Sequence, residues 1–288
     1  MSHRFGGAWT EEKLRVLDGY LRAYTTALRN TSFAKGYIDA FAGSGYRDAP
    51  EVASLFPDMA DQESQDLLDG SARIALKVDP PFDGYIFIER HAGRRKQLER
   101  LRSEFPDRKD SIRIRGGDAN VQIQEICRIP WQGRRAVLFL DPYGMQVEWK
   151  TLEAVASTRA IDMWLLFPLG IGVNRLLTRK GDIPETWRTR LNLLLGTDKW
   201  YEEFYNLQTR TNLFGDNETT VTRAGVETIG RYFNERLKSI FAAVAEEPLV
   251  LRNSRGSPLY LLCFAVGNES GAPIALRIAR SQLSRGWR

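Results

Sequence analysis

The chain has only two cysteines and two histidines. Cys127 and Cys263 each lie inside an apolar segment, which fits buried free thiols in a reducing cytoplasm and not a disulfide framework. His3 and His91 are far apart in sequence, so the chain lacks the ligand set of a zinc cage and no metal is expected. Long hydrophobic runs are also missing. The longest, residues 163–173, is broken by Pro168 and is too short to span a bilayer. The start of the chain lacks an apolar signal core, so a cytoplasmic protein with no membrane partner is expected. No internal repeat or low-complexity tract occurs. There is no Gly-Lys-Ser/Thr phosphate loop, and Gly43-Ser44-Gly45 lacks the third glycine of the dinucleotide fingerprint because Asp48 stands there. Both absences disfavour a P-loop nucleotidase and a nicotinamide enzyme.

What remains is an ordinary globular composition, 43% hydrophobic and 27% charged. At 288 residues the chain is long enough for one large domain with an insertion, or for two. Lys and Arg outnumber Asp and Glu by 41 to 36. This modest excess permits nucleic-acid binding without showing it. Most of the cations are arginines, which suit bidentate phosphate and base contacts. Runs such as Arg94-Arg95-Lys96 also read as a solvated helix face.

Residues 10–29 read as an amphipathic helix capped by Thr10, with Leu14, Leu17, Leu21, Tyr24 and Leu28 marking one face. Strand and helix signals then alternate. A strand entering a glycine turn is expected over 35–43, and further strands at 84–89, 111–115, 135–140 and 161–166. Helices are expected at 71–78, 92–104, 120–127 and 148–157. This rhythm implies a doubly wound, mostly parallel α/β sheet. Residues 46–69 form a polar, acidic stretch without a period, read as a long loop. From 174 to about 246 the composition is helical and rich in aromatics. Strands resume at 248–252 and 259–266 around a hairpin turn, and a last helix covers 272–283. The expected organisation is an N-terminal helix over 1–30, a core over 31–170, a helical insertion over 171–247, and a terminal hairpin and helix over 248–288 that completes the sheet.

The strand ends carry the chemistry. Asp39 and Gly43-Ser44-Gly45 follow the first strand, Glu89 closes the second, Asp118 follows the third, and Asp141-Pro-Tyr-Gly144 follows the fourth. In open α/β sheets ligands bind at that edge. An acid after one strand is a commonplace terminator, but four in register are harder to explain as chance. A glycine turn admits close backbone approach, a carboxylate after the second strand binds ribose hydroxyls, and a further acid accepts from an adenine amino group.

On these residues the chain resembles the class I S-adenosylmethionine-dependent methyltransferases, whose fold is Rossmann-like with an antiparallel terminal strand. More specifically it resembles the three-Cys-motif partner proteins (TcmP), methyltransferase-like bacterial proteins paired with a separate cysteine-motif protein. That closer match rests on Tyr37-Ile-Asp-Ala-Phe-Ala-Gly43, Leu140-Asp-Pro-Tyr-Gly-Met-Gln-Val-Glu-Trp149 and Phe167-Pro-Leu-Gly-Ile-Gly-Val-Asn-Arg175, and covers nearly the whole chain. The resemblance implies S-adenosylmethionine as cofactor. Gly43 and Gly45 would line its methionine part, Glu89 would hold the ribose, and Asp118 and Ala119 would meet the adenine. Asp39, Phe41, Ser44 and Arg90 are the other implied cofactor-binding residues.

Asp141-Pro142-Tyr143 resembles the Asp/Asn-Pro-Pro-aromatic motif of amino-methyltransferases, without the second proline. It is nearer to the Asp-Pro-Phe-Gly of tRNA guanine-N2 dimethyltransferases. There the acid and a following carbonyl hold a substrate amine in line with the methyl group while the ring stacks on the base, so positioning supplies much of the rate. Asn174 and Arg175 would meet the substrate. The implied partners are a three-Cys-motif protein and RNA or DNA.

Each residue also has a plainer reading. Glu89 and Asp118 are placed to cap the helices that follow them, Asp39 to satisfy its own turn, and Tyr143 to pack. Trp187, Trp200, Tyr201, Phe204, Tyr205, Tyr232 and Phe233 either stack bases or form core, and Asn174, Arg175, Arg188 and Arg190 meet phosphates or water. Two other functions stay open: a non-catalytic binding module on the same fold, and metal-dependent phosphodiester cleavage using Asp39 and Asp141.

Overall fold

The structure is a computed structural model and describes residues 8–42, 70–211 and 217–284. Gly43, Ser44, Gly45 and the 46–69 loop lie outside the described residues.

Helix α1 (Ala8–Ala27) leads into β1 (Ala34–Asp39), then α2 (Gly70–Lys77), β2 (Gly84–Glu89), α3 (Ala92–Glu104), a 3-10 turn (Pro106–Ser111) and β3 (Ile112–Gly116). Next come α4 (Ala119–Cys127), β4 (Arg134–Leu140), α5 (Trp149–Ser157) and β5 (Ile161–Phe167). A π-helical turn (Leu169–Val173) runs into α6 (Asn174–Leu176), α7 (Glu185–Leu195), α8 (Trp200–Phe204), β6 (Tyr205–Thr211), β7 (Asn217–Arg223) and α9 (Val226–Lys238). The chain closes with β8 (Ala243–Val244), β9 (Leu249–Arg252), β10 (Pro258–Val266) and α10 (Ala272–Leu283).

The main sheet has eight strands in the order β3-β2-β1-β4-β5-β10-β8, with β9 also paired to β10. Strands β1 to β5 are parallel to their neighbours, and β10 runs antiparallel to β5. The order 3-2-1-4-5 is that of doubly wound nucleotide-binding sheets, and the whole is consistent with a Rossmann-like methyltransferase fold. The central strands are near-continuous apolar runs because both of their faces are covered. All seven residues of β5 are buried.

One face presents Tyr37, Tyr85, Phe87, Val137, Phe139 and Trp164 to the helices α1, α2, α3 and α10. The other presents Ile38, Ile88, Ala136, Leu138, Met163 and Leu165 to α4, α5, α7 and α9.

Two expectations are corrected. The stretch read as a helical insertion also holds an antiparallel hairpin, β6 paired with β7 from Tyr205↔Arg223 to Thr211↔Asn217. Thr10 is not the cap of the first helix, which begins at Ala8. It lies inside the helix, buried at 5% exposure. The aromatic residues Trp200, Phe204, Tyr205 and Phe233 belong to the core beneath α9 and the π-helical turn. Phe167 and Phe233 stack there with ring centres 3.9 Å apart.

The π-helical turn is where β10 presses closest. A Cβ on Gly170 would stand 1.9 Å from the carbonyl oxygen of Pro258, a backbone atom that cannot swing away. Gly170→Ala is expected to destabilise the fold by about 1–3 kcal/mol through overpacking, read as a lower urea midpoint. An unchanged midpoint would contradict this packing.

Candidate functional site

Parallel register decides where the acids go. Asp39, the last residue of β1, pairs with Phe87 of β2 and with Phe139 of β4. Glu89 and Asp141 each follow their partner by two residues, so they stand level on either side of β1 at the carboxyl edge. Even spacing along a strand returns to one face, and Asp39, Glu89 and Asp141 share the face covered by α1.

Asp39 is 1% exposed. Ser71 at the start of α2 donates its hydroxyl to Asp39 Oδ2 at 2.6 Å, and the Tyr37 hydroxyl lies 3.4 Å from the same oxygen. Burial raises this carboxyl from the ordinary 3.8 to about 7, and the neighbouring Asp141 charge adds to the rise. Hydrogen bonds from Ser71, the Phe41 amide and Tyr37 oppose it.

Asp141 is met by Lys13, whose ammonium lies 2.5 Å from Oδ2. The lysine side chain is 1% exposed and the aspartate 25%. The same ammonium sits 5.2 Å from the centre of the Trp9 ring. One oxygen of the Asp-Pro-Tyr carboxylate is therefore held by the chain's own amine.

The expected stripe runs through Leu14 and omits Trp9, Lys13, Val16 and Tyr20, although Leu17, Leu21 and Tyr24 belong to both it and the buried face. The buried face of α1 is Trp9, Thr10, Lys13, Val16, Leu17, Tyr20, Leu21 and Tyr24. A lysine inside an i, i+3, i+4 stripe was the available signal.

The other expected residues fall as follows. Glu89 is 3% exposed and its Oε1 accepts the His91 amide at 2.6 Å. The turn after β1 lies against β2 beside it, with the Ala42 amide donating to the Ile88 carbonyl at 3.0 Å. Phe41 lies in this turn and packs against the core of the opposite face. Arg90 is exposed. Asp118 caps α4, its Oδ1 accepting from the amides of Asn120 and Val121 at 2.9 and 3.3 Å. Ala119 is the buried first residue of α4. Pro142 is buried, and Tyr143 is half-buried with its amide donating to Gln146 Oε1 at 3.1 Å.

Asn174 follows β5, the neighbour of β4. Its side-chain oxygen accepts from Arg223 at 3.1 Å, which ties β7 to this edge, while Arg175 is exposed. The structure thus brings Asp39, Glu89 and Asp141 together on one face. Asp118 is engaged in a helix cap and Asn174 in a tertiary tie.

Sequence reading also missed Asn120. Its amide nitrogen donates to the Gln146 carbonyl at 2.9 Å. Its oxygen accepts the Glu148 amide at 3.0 Å and the Thr151 hydroxyl at 2.9 Å. One buried side chain thereby fixes the far end of the Asp141–Gln146 loop. Met145 of that loop packs 3.2 Å from where a Gly172 Cβ would stand.

No protein-family model matches the chain, and neither does any curated protein. Among solved structures it is similar to a protein of Legionella pneumophila str. Philadelphia 1 from the family DUF519, at 11% identity and a TM-score of 0.47, spanning 97% of this chain and 92% of that one. It is also similar to yhhF of Escherichia coli, named provisionally as a methyltransferase, at 13% identity and a TM-score of 0.31, spanning 72% and 86%. With both scores below 0.5, the assignment of fold rests on the strand order and register described above.

Two predictions follow from this geometry. Asp141→Ala strands a buried ammonium and is expected to cost roughly 3–5 kcal/mol, part of which Lys13→Met in the same chain restores. Equal stability of the single and double variants in urea would contradict the pair. The second concerns pH. An unfolded Asp39 loses its proton near pH 4, whereas the folded one keeps it to about 7. Its favourable contribution is complete below the lower value and is lost as pH rises through the upper one. Asp39→Asn is therefore expected to gain on wild type between pH 4 and 7, by at most about 4 kcal/mol, and to hold that gain above. A pH-independent difference would contradict the raised carboxyl.

Proposed function

We propose that the protein is an S-adenosylmethionine-dependent methyltransferase acting on an amino nitrogen, with a nucleic-acid base as the substrate class and a three-Cys-motif protein as working partner. The carrying observation is that Glu89 and Asp141 stand level on either side of β1, on one face of the carboxyl edge. A buried carboxylate closing the second strand fits the ribose of an adenosine cofactor, and Asp39 and the turn after β1 lie between the two acids. Bound there, the cofactor would supply an electrophilic methyl group.

The remaining work falls to the chain. Asp141 and the Pro142 carbonyl accept the hydrogens of the amine and aim its lone pair, and Tyr143 offers a ring beside them. Positioning of this kind accounts for a large share of the barrier reduction. Lys13 already holds one oxygen of Asp141, so an incoming amine either shares that carboxylate or displaces the lysine. Asp39 remains protonated to about neutral pH, so it adds little negative charge next to a sulfonium below that pH.

The Lys13–Asp141 pair also favours a second reading, a methyltransferase fold kept as a non-catalytic binding module. Here the ammonium is a permanent structural occupant of the acid. Metal-dependent phosphodiester cleavage gains no support, since among the described residues no three His, Cys, Asp or Glu side chains are grouped to hold a metal ion. Among those residues no helix is long and apolar enough to cross a membrane.

Calorimetry with S-adenosylhomocysteine separates the two main readings. Binding that weakens about tenfold or more in Glu89→Ala supports the first. Absence of binding at millimolar ligand, with partner binding unaffected by Asp141→Ala, supports the module.

A further inference from the structure

At the other end of the same strands the sheet has a bare face. Gly84, Gly36 and Ala136 lie abreast on β2, β1 and β4, because Gly36 pairs with both of the others. Three neighbouring strands thus carry almost no side chain at one level, on the face that α4 and α5 cover nearer the carboxyl edge. The result is a trough of about 750 Å³, within the range of small-ligand sites. Its floor at Gly36 lies three residues from Asp39 along β1, about 10 Å at the usual rise per residue, and on the opposite face of the sheet.

Packing does not explain the floor. A Cβ on Gly84 would meet nothing within 4 Å, and its backbone is not in the left-handed region. Glycine weakens a strand and marks a bulge, a bend, or a place where a ligand or another backbone comes close. The wall is Trp131, whose indole N–H is buried with no acceptor among the described residues.

The rim is cationic. Arg113 pairs in register with Ile86 and Arg134 with Ala34, so both arise on the bare face. The hydrogen bonds of their guanidinium groups go to backbone carbonyls, those of Asp110 and Ile112 for Arg113 and of Pro130 for Arg134. A guanidinium has five donors, so further anion contacts stay open to each. Arg135 alternates to the other face, where it stacks on Phe33 at 4.0 Å. Of the acids here, Asp83 is spent on Lys35 at 3.2 Å, which leaves Asp110 against Arg113 and Arg134.

We propose that this trough binds a nucleotide-type anion, a flat aromatic ring carrying a phosphate. The side-chain-free floor and the indole wall take the ring, and one of the two rim arginines, Arg113 on β3 or Arg134 on β4, takes the phosphate. An acidic peptide fits less well. The floor is a sheet face, not an edge, so it offers no backbone ladder for strand addition. The site is independent of the carboxyl-edge reading.

Titration calorimetry of the full chain tests it, with AMP, inorganic phosphate, a single-stranded hexa-adenylate and a hexaglutamate peptide as probes. Binding of AMP is expected, with phosphate alone about tenfold weaker or more. Gly84→Val fills the trough where space is open and adds a strand-favouring residue, so its melting temperature should hold or rise while AMP binding falls about tenfold or more. Arg113→Ala with Arg134→Ala should weaken AMP binding independently of any change at the floor. In Glu89→Ala the same binding should persist. Hexa-adenylate tighter than AMP identifies the source as single-stranded nucleic acid, and equal affinities identify a free nucleotide. Three results would overturn the proposal: no AMP heat at millimolar concentration, AMP binding lost in Glu89→Ala but kept in Gly84→Val, or hexaglutamate binding in place of AMP.

Discussion

Two acids, Asp162 buried and Asp141 partly so, fasten the first helix across the sheet. Near the amino end of β5, Asp162 accepts the Tyr20 hydroxyl at 2.9 Å and the Gly267 amide at 3.3 Å. Beyond the carboxyl end of β4, Asp141 accepts Lys13 at 2.5 Å. Lys13 and Tyr20 are two helical turns apart, about 10 Å along the axis. The helix therefore crosses β4 and β5 with a polar anchor at each end and an apolar stripe between. Burial raises Asp162 to about 6, with the Tyr20 and Gly267 hydrogen bonds opposing the rise. Removing one partner of such an anchor leaves the other buried and unsatisfied, which costs more than the contact itself contributes.

The rest of the architecture follows from strand direction. Because β1 to β5 are parallel, what the sequence writes at strand ends collects at one edge, and what it writes at strand starts collects at the other. The carboxyl edge receives Asp39, Glu89 and Asp141, and the amino edge receives Gly36, Gly84 and Ala136. The first set is an electrostatic problem that needs a ligand or an internal cation. The second is a packing vacancy. The chain answers the first in part with Lys13, which pairs with Asp141.

The parallel core was legible because buried strands are apolar runs whose ends are marked by acids and glycines, and β1 to β5 lie within a residue or two of where those runs predict them. The convergence of Asp39, Glu89 and Asp141 needed only strand direction and parity. Lys13 was hidden by a stripe drawn through Leu14 in place of Val16 and Tyr20. Asn120 was hidden because a buried amide that ties a loop looks, in sequence, like any residue in a helix's first turn. The β6–β7 hairpin carried a signal in the β-branched run Thr219-Thr220-Val221-Thr222, which the surrounding aromatic and charged residues masked. The bare face at the amino edge depends on three residues falling level, and level is set by register, which no single strand reveals.

The central claim is that Glu89 and Asp141 flank one adenosine-shaped site. A crystal structure of the protein soaked with S-adenosylhomocysteine tests it most directly. The account predicts ligand density at the carboxyl edge over β1, with the ribose against Glu89 and the sulfur toward Asp141. Ligand density elsewhere, or Lys13 and its neighbours filling that space at saturating ligand, would contradict it.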